Sequence, residues 1–364
     1  MLETVFRTEN IFCLFGLLLG GVGSLLLVPP AKRLARICDC IDRPDGERKL
    51  HPYPVAYFGG LAILIGFVIS ALALSFFVMG TVPRQIAVLV IGGMAICFVG
   101  AIDDMISLRP LVKFLLQIGI SLFSALFGGA IEYVNFFGHT IEFGIFSVPI
   151  TVLWMVLIIN AVNLIDGLDG LAGGVTALES MTLMLTALLM GNVVAAIASA
   201  ALCGAILGFL PYNVNRATIF MGDAGAMLIG YAMASISVFG LFKAQALFSI
   251  VVPAFIFALP LLDTVIAFFR RLLRGQSPFT ADHAHIHHKL MDSGLSAGKS
   301  VLAIYAASAV FCLASVLFSR YTLIAILMGV LAVVFLKLLQ YRGMFCGKKG
   351  ANDGTELLEK EESR

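Results

Sequence analysis

Four polar side chains recur at every third position in the stretch N-A-V-N-L-I-D-G-L-D-G: Asn160, Asn163, Asp166 and Asp169. On a helical turn this spacing sets them along one slowly drifting face. Gly167 and Gly170 let the backbone leave the helix and come close to a ligand. A second acidic group, Asp223, lies between Gly222 and Gly225 in F-M-G-D-A-G at an expected helix start. There it either caps free N–H groups or ligates a cation. Asn163, Asp166 and Asp223 offer the oxygen donors that Mg²⁺ takes from one or two carboxylates while keeping water and substrate phosphate for the rest. Mn²⁺ suits the same donors.

Two further clusters carry chemistry. Asp103 and Asp104 are adjacent carboxylates that repel each other and, as helix neighbours, do not share a face. They are expected to do different jobs, one binding or accepting a proton and the other orienting; an ordinary polar helix end is the alternative. From Arg270 to Lys289 the chain reads R-R-L-L-R-G-Q-S-P-F-T-A-D-H-A-H-I-H-H-K. The guanidinium forks of Arg270, Arg271 and Arg274 suit phosphate, and His283, His285, His287 and His288 can donate to phosphate oxygens or, as neutral rings, bind a metal. Zinc is disfavoured because the HEXXH pattern and a nearby cysteine pair are missing. Phosphate binding is favoured over a solvated loop. These donors together point to phosphoryl transfer between a soluble phosphorylated compound and a lipid, with positioning and charge neutralisation carrying most of the catalysis. No Walker A sequence accompanies them, which disfavours an ATP-driven pump.

The elements that must position these residues are apolar spans. Of 364 residues only 13% are charged and 60% are hydrophobic, with a mean hydropathy of +1.01, far from soluble domains. The runs do not alternate as barrel strands would. The expected fold is an all-α polytopic membrane protein of about eleven transmembrane helices, near residues 10–30, 59–80, 85–102, 113–131, 148–162, 172–190, 193–211, 224–242, 246–270, 300–319 and 322–341. Kinks are expected at Pro253 and Pro260. Lys32, Arg33, Arg36, Arg109, Lys113 and the Arg270 group fall on one side, and Arg84, Lys243 and Arg320 on the other. The N-terminus is therefore expected outside and the C-terminus in the cytoplasm. Every cluster rich in Asp, Asn or His then falls on the cytoplasmic side. An outside segment, 132–148, alternates around Gly138 as a short β-hairpin, with His139 as a turn residue. Residues 1–346 read as one membrane domain, and 347–364 as a polar cytoplasmic tail without a core. The N-terminus lacks a basic leader and cleavage site, so no cleaved signal peptide is expected. The seven scattered cysteines read as small apolar residues. A transporter is the main rival, but its ionisable groups would lie near the bilayer midplane, often within inverted repeats; here they lie at span ends. A non-catalytic scaffold leaves the carboxylates and histidines unexplained.

In their order along nearly the whole chain, these motifs resemble the polyprenyl-phosphate N-acetylhexosamine-1-phosphate transferases. The ending S-P-F-T-A-D-H-A-H-I-H-H is similar to that of the branch acting on undecaprenyl phosphate and UDP-GlcNAc, and lacks the P-x-H-H-H ending of the branch using UDP-MurNAc-pentapeptide. Another UDP-N-acetylhexosamine donor stays open. The resemblance implies transfer of a sugar 1-phosphate from a UDP-sugar donor to undecaprenyl phosphate at the cytoplasmic face of the bacterial inner membrane. It further implies Asp223 as principal Mg²⁺ ligand with Asn163 and Asp166 beside the metal and pyrophosphate. Asp169 would face the uracil ring, Phe220 would stack on it and Asn213 would lie nearby. Asp103 and Asp104 would sit where the carrier phosphate enters. His285, His287, His288 and Arg271 would bind donor phosphates or sugar, and Lys49 and His51 would touch the nucleotide. The partners expected are the two substrates and the bilayer, with a homodimer allowed and no nucleic acid.

Overall fold

Apolar runs long enough to cross hydrocarbon become helices because, away from water, the backbone must bond to itself. The computed structural model describes residues 8–43, 53–136, 139–214, 216–242, 250–275, 285–318 and 321–341. Its helices are α1 (Thr8–Ile37), α2 (Gly59–Met79), α3 (Arg84–Ile106), α4 (Pro110–Phe127), α5 (Ser147–Ile165), α6 (Leu171–Leu189), α7 (Val193–Phe209), α8 (Gly222–Ser237), α9 (Val251–Ile256), α10 (Ala258–Leu273), α11 (Ile286–Asp292), α12 (Ala297–Phe318) and α13 (Thr322–Tyr341). Among the described residues ten of these, all but α9 to α11, are long and apolar enough to span a membrane. The protein is a multi-pass membrane protein. The expected ninth span is two helices, α9 and α10, meeting at Phe257 between Pro253 and Pro260. A proline has no N–H to give and crowds the preceding turn, so the run breaks there. Lys49, His51, His283 and the 347–364 tail lie outside the described residues.

The bundle is layered around α8, whose span from Gly222 to Leu241 is buried. α3, α5 and α2 pack on it, while α1, α2 and α7 form a second close-packed group. In that group Gly20 faces α7 so closely that a Cβ would lie 2.6 Å from the Ala201 carbonyl oxygen, the small-residue contact that brings membrane helices together. α4 and α13 are peripheral and expose leucines such as Leu115, Leu126, Leu323 and Leu327, as lipid-facing helices do.

The expected hairpin is present: β3 (Tyr133–Phe136) pairs antiparallel with β4 (His139–Glu142), with Phe136 opposite His139. His139 therefore opens the second strand. A smaller pair was not legible in the sequence. β1 (Ile41–Asp42) and β2 (Val55–Ala56) are antiparallel, and Ala56 bridges to Ile219. This ties the segment after α1 to the chain entering α8.

Candidate active site

Helix ends build the site. α3 finishes in G-A-I-D-D-M-I, and Gly100 keeps it close to α8: a Cβ there would lie 2.5 Å from the Ala224 Cα. Asp103 and Asp104 are thereby brought against the first turn of α8, and they do separate jobs. Asp104 accepts the N–H of Asp223 at 2.8 Å and of Ala224 at 3.2 Å, capping the positive end of α8 from across the bundle. Gly222 makes room for it, with φ of +67° and no Cβ to meet the Asp104 carboxylate. Asp103 turns the other way, accepting the Leu108 N–H at 2.7 Å and facing Lys113 Nζ at 2.8 Å. Lys113, in the first turn of α4, also reaches Asp223 Oδ2 at 2.5 Å. Asn163 Nδ2 donates to Asp223 Oδ1 at 2.8 Å. One ammonium is thus held between two carboxylates at the meeting point of α3, α4, α5 and α8.

α5 stops at Ile165, and the three-residue periodicity bends with it. Asn160 leaves the set: it donates to Gln117 Oε1 at 2.7 Å and to the Val156 carbonyl at 2.8 Å, tying α5 to α4. Asp166 is half-buried at the helix end, its N–H donating to the Asn163 carbonyl. Burial, followed by the charges of Asp223, Asp104 and Asp169, pushes its carboxyl up to about 7. Asp169 is exposed and accepts the Ala217 N–H at 2.9 Å. Asn213, expected near the nucleobase, bonds backbone in this fold. It is 3% exposed, its Oδ1 accepts the Gly170 N–H at 3.0 Å, and its Nδ2 donates to the Ile219 carbonyl at 3.1 Å. A buried amide bonding backbone at both ends holds two loops together. Phe220 is half-buried and packs against Tyr57 with ring centroids 5.9 Å apart. Its N–H donates to Ala56 and its carbonyl accepts from Gly59, so β2 carries it. Among the described residues the non-glycine positions with positive φ are Asp39, Phe58, Ser107 and Arg216, all outside the helices and strands.

His285 to His288 lie at the same end. His287 is buried, and its ring lies on Gly167, where a Cβ would come within 2.5 Å of Nε2. Burial, then His288, lowers the His287 pKa to about 4, with His285 adding to the shift and Asp263 opposing it, so the ring is neutral. Its Nε2 has no hydrogen-bond partner among the described residues. His285 and His287 stack with rings 3° apart in plane and centroids at 6.0 Å; His288 tilts against His287 at 4.2 Å. His285 Nδ1 is 2.8 Å from Asp263 Oδ2, and Asp263 Oδ1 accepts the Ile286 N–H at 3.0 Å. Arg271 is buried on the same face of α10. Tyr305 of α12 donates to the Gly170 carbonyl at 2.5 Å.

The donor set fits a hard divalent cation. Asp103, Asp104, Asp166 and Asp223 hold more negative charge than the Lys113 seated among them, and that ammonium stands where a cation is wanted. Among the described residues no three His, Cys, Asp or Glu side chains converge as a metal site; an ion held by one or two carboxylates would need amide, water and phosphate oxygens to complete it. Lys113, Asp263 and Tyr305 were missed as site residues. Asp263 had a signal, being an ionisable residue inside the apolar run A-L-P-L-L-D-T-V-I-A.

The family described as Glycosyl transferase family 4 matches residues 86–241. A Bacillus subtilis (strain 168) protein named "Probable undecaprenyl-phosphate N-acetylglucosaminyl 1-phosphate transferase" is 37% identical, over 86% of this chain and 87% of its own length. A "Decaprenyl-phosphate N-acetylglucosaminephosphotransferase" of Mycolicibacterium smegmatis is 34% identical over 79% and 78%. An "Undecaprenyl-phosphate alpha-N-acetylglucosaminyl 1-phosphate transferase" of Escherichia coli (strain K12) is 28% identical over 79% and 78%. With such likeness along most of its length, the chain belongs to the polyprenyl-phosphate N-acetylhexosamine-1-phosphate transferases and is a membrane-embedded phosphoglycosyltransferase.

Proposed function

We propose that this protein transfers GlcNAc-1-phosphate from UDP-GlcNAc to undecaprenyl phosphate and releases UMP. It does so on the cytoplasmic face of the bacterial inner membrane, as the first membrane step of an envelope polysaccharide of O-antigen, common-antigen or teichoic-acid type. The observation that carries the reading is the convergence of Asp103, Asp223, Asn163 and Lys113 at the ends of four spans. The GlcNAc donor is supported by the names of the relatives and by the H-I-H-H ending; the cytoplasmic face is supported by the side on which the basic residues gather.

An oxygen of the carrier phosphate attacks the β-phosphorus of the donor. The new P–O bond forms as the bond from that phosphorus to the bridging oxygen breaks, and the bridging oxygen leaves on UMP. The second pKa of a phosphate monoester is about 6, so the attacking dianion exists near neutral pH without a strong base. Asp103 then serves to hold Lys113 and meet the carrier phosphate, while Asp104 positions α8. Asp223, Asn163 and Asp166 would hold Mg²⁺, whose contribution when bound is to neutralise the pyrophosphate charge. Asp169 and Phe220 face the nucleobase, with Asn213 fixing the loops that carry them. His287, His288 and Arg271 take phosphate or sugar oxygens. The test is UMP release by purified protein with undecaprenyl phosphate, comparing UDP-GlcNAc with other UDP-sugars, with and without chelator. Turnover is expected with UDP-GlcNAc and Mg²⁺; none with any UDP-sugar overturns the assignment.

A further inference from the structure

α10 carries a carboxylate for which the transfer chemistry has no direct use. Asp263 is 5% exposed, and Ala267 and Arg271 follow it on the same buried face at one-turn intervals. An ionisable group here is costly unless its oxygens are bonded. Both are bonded, and both to one short stretch: Oδ2 to the His285 ring and Oδ1 to the Ile286 N–H. A single side chain from inside the bundle thus fixes both a ring and the backbone next to it.

The consequence runs through the rings. A carboxylate at Nδ1 makes that nitrogen the protonated one and leaves Nε2 with its lone pair in the neutral ring. The His285 plane is set by the same contact. His287 lies parallel to it and rests on Gly167, the residue after Asp166. We propose that Asp263 is a positioning residue for the transfer reaction. It fixes the seat and tautomer of His285 and, through the stacked rings, holds His287 on the Gly167 turn beside the acidic cluster. This rests on the transferase reading of the histidine loop. The competing account is that Asp263 only anchors α11.

Asp263→Asn separates the two. Its amide oxygen can still accept the Ile286 N–H, but an NH₂ or the wrong dipole now meets His285. The expected result is a kcat lower by about 10- to 100-fold, the range seen for outer partners of functional histidines, with KM for UDP-GlcNAc within about threefold and an unchanged melting temperature. The double variant Asp263→Asn/His285→Asn is expected to be no slower than His285→Asn alone, because both changes remove one arrangement. Asp263→Glu, which restores the charge, is expected to recover part of the kcat lost in Asp263→Asn. It also serves for the cycle if the Asn variant does not fold. Losses that multiply in the double variant, or a kcat loss that tracks an equal loss of melting temperature, overturn the proposal. If the wild type turns over no UDP-sugar, the transferase reading falls and this one with it; an active wild type with multiplying losses overturns this one alone.

Discussion

Replacing Asp166 by Asn is expected to stabilise the metal-free protein, and the effect has a defined pH dependence. In the fold its carboxyl holds a proton up to about 7, against 3.8 for an ordinary aspartate, because burial and the charges of Asp223, Asp104 and Asp169 oppose ionisation. Between those values the folded state binds more protons than the unfolded chain, so stability falls as pH rises through that window. From 3.8 to about 7, at about 1.4 kcal/mol for each tenfold step in acidity, the ceiling is about 4 kcal/mol at pH 8. Asp166 is only half-buried, so solvent screening reduces the expectation to about 2 kcal/mol. For a chain of this size that corresponds to about 3 °C. In detergent with a chelator, Asp166→Asn should therefore melt about 3 °C above the wild type at pH 8, and the gap should close toward pH 4. Mg²⁺ should raise the wild-type melting temperature at pH 8 and affect the variant much less, since a ligand that binds only the folded state stabilises it. Equal melting curves at every pH, or a gap that widens on acidification, would refute the reasoning.

Asp223→Asn is expected to lose Mg²⁺-dependent turnover; near wild-type activity across a Mg²⁺ titration removes Asp223 from the metal site. Asp104→Ala leaves the N–H groups of Asp223 and Ala224 without their acceptor and should destabilise the fold by about 2–4 kcal/mol, read as a drop in melting temperature, with Asp104→Asn recovering roughly half. Gly167→Ala places a methyl 2.5 Å from His287 Nε2. It should lower turnover by at least about tenfold, as small displacements of positioned groups do, while the circular dichroism spectrum is unchanged.

The spans and motif loops were legible because each is a local signal: apolar runs of membrane length, and polar residues that such runs exclude. The break in the ninth span was legible from Pro253 and Pro260, but its exact place, Phe257, depends on packing. The hairpin followed from alternation around Gly138. Asp103 and Asp104 could be told to differ but not how, because the answer is which of them meets the free N–H groups of a helix 119 residues away. The backbone partners of Asn213 are invisible in one dimension for the same reason. In the sequence Lys113 is only a basic residue at a span edge, and Asp263 only an ionisable residue inside an apolar run.

These misses share a physical cause that bears on the chemistry. Antiparallel spans bring the C-terminal ends of α3 and α5 beside the N-terminal ends of α4 and α8. Carboxylates at the C-terminal end of a helix oppose its dipole, so Asp103, Asp104 and Asp166 would each be unfavourable on its own helix. Asp104 is relieved by the positive end of α8 and Asp103 by Lys113 at the start of α4. Asp166 has no such partner among the described residues, and burial with its acidic neighbours drives its carboxyl toward neutrality. A carboxylate that the fold leaves without a partner gains from an added cation. That makes Asp166, rather than Asp103 with its Lys113 partner, a group through which metal binding should stabilise the folded protein.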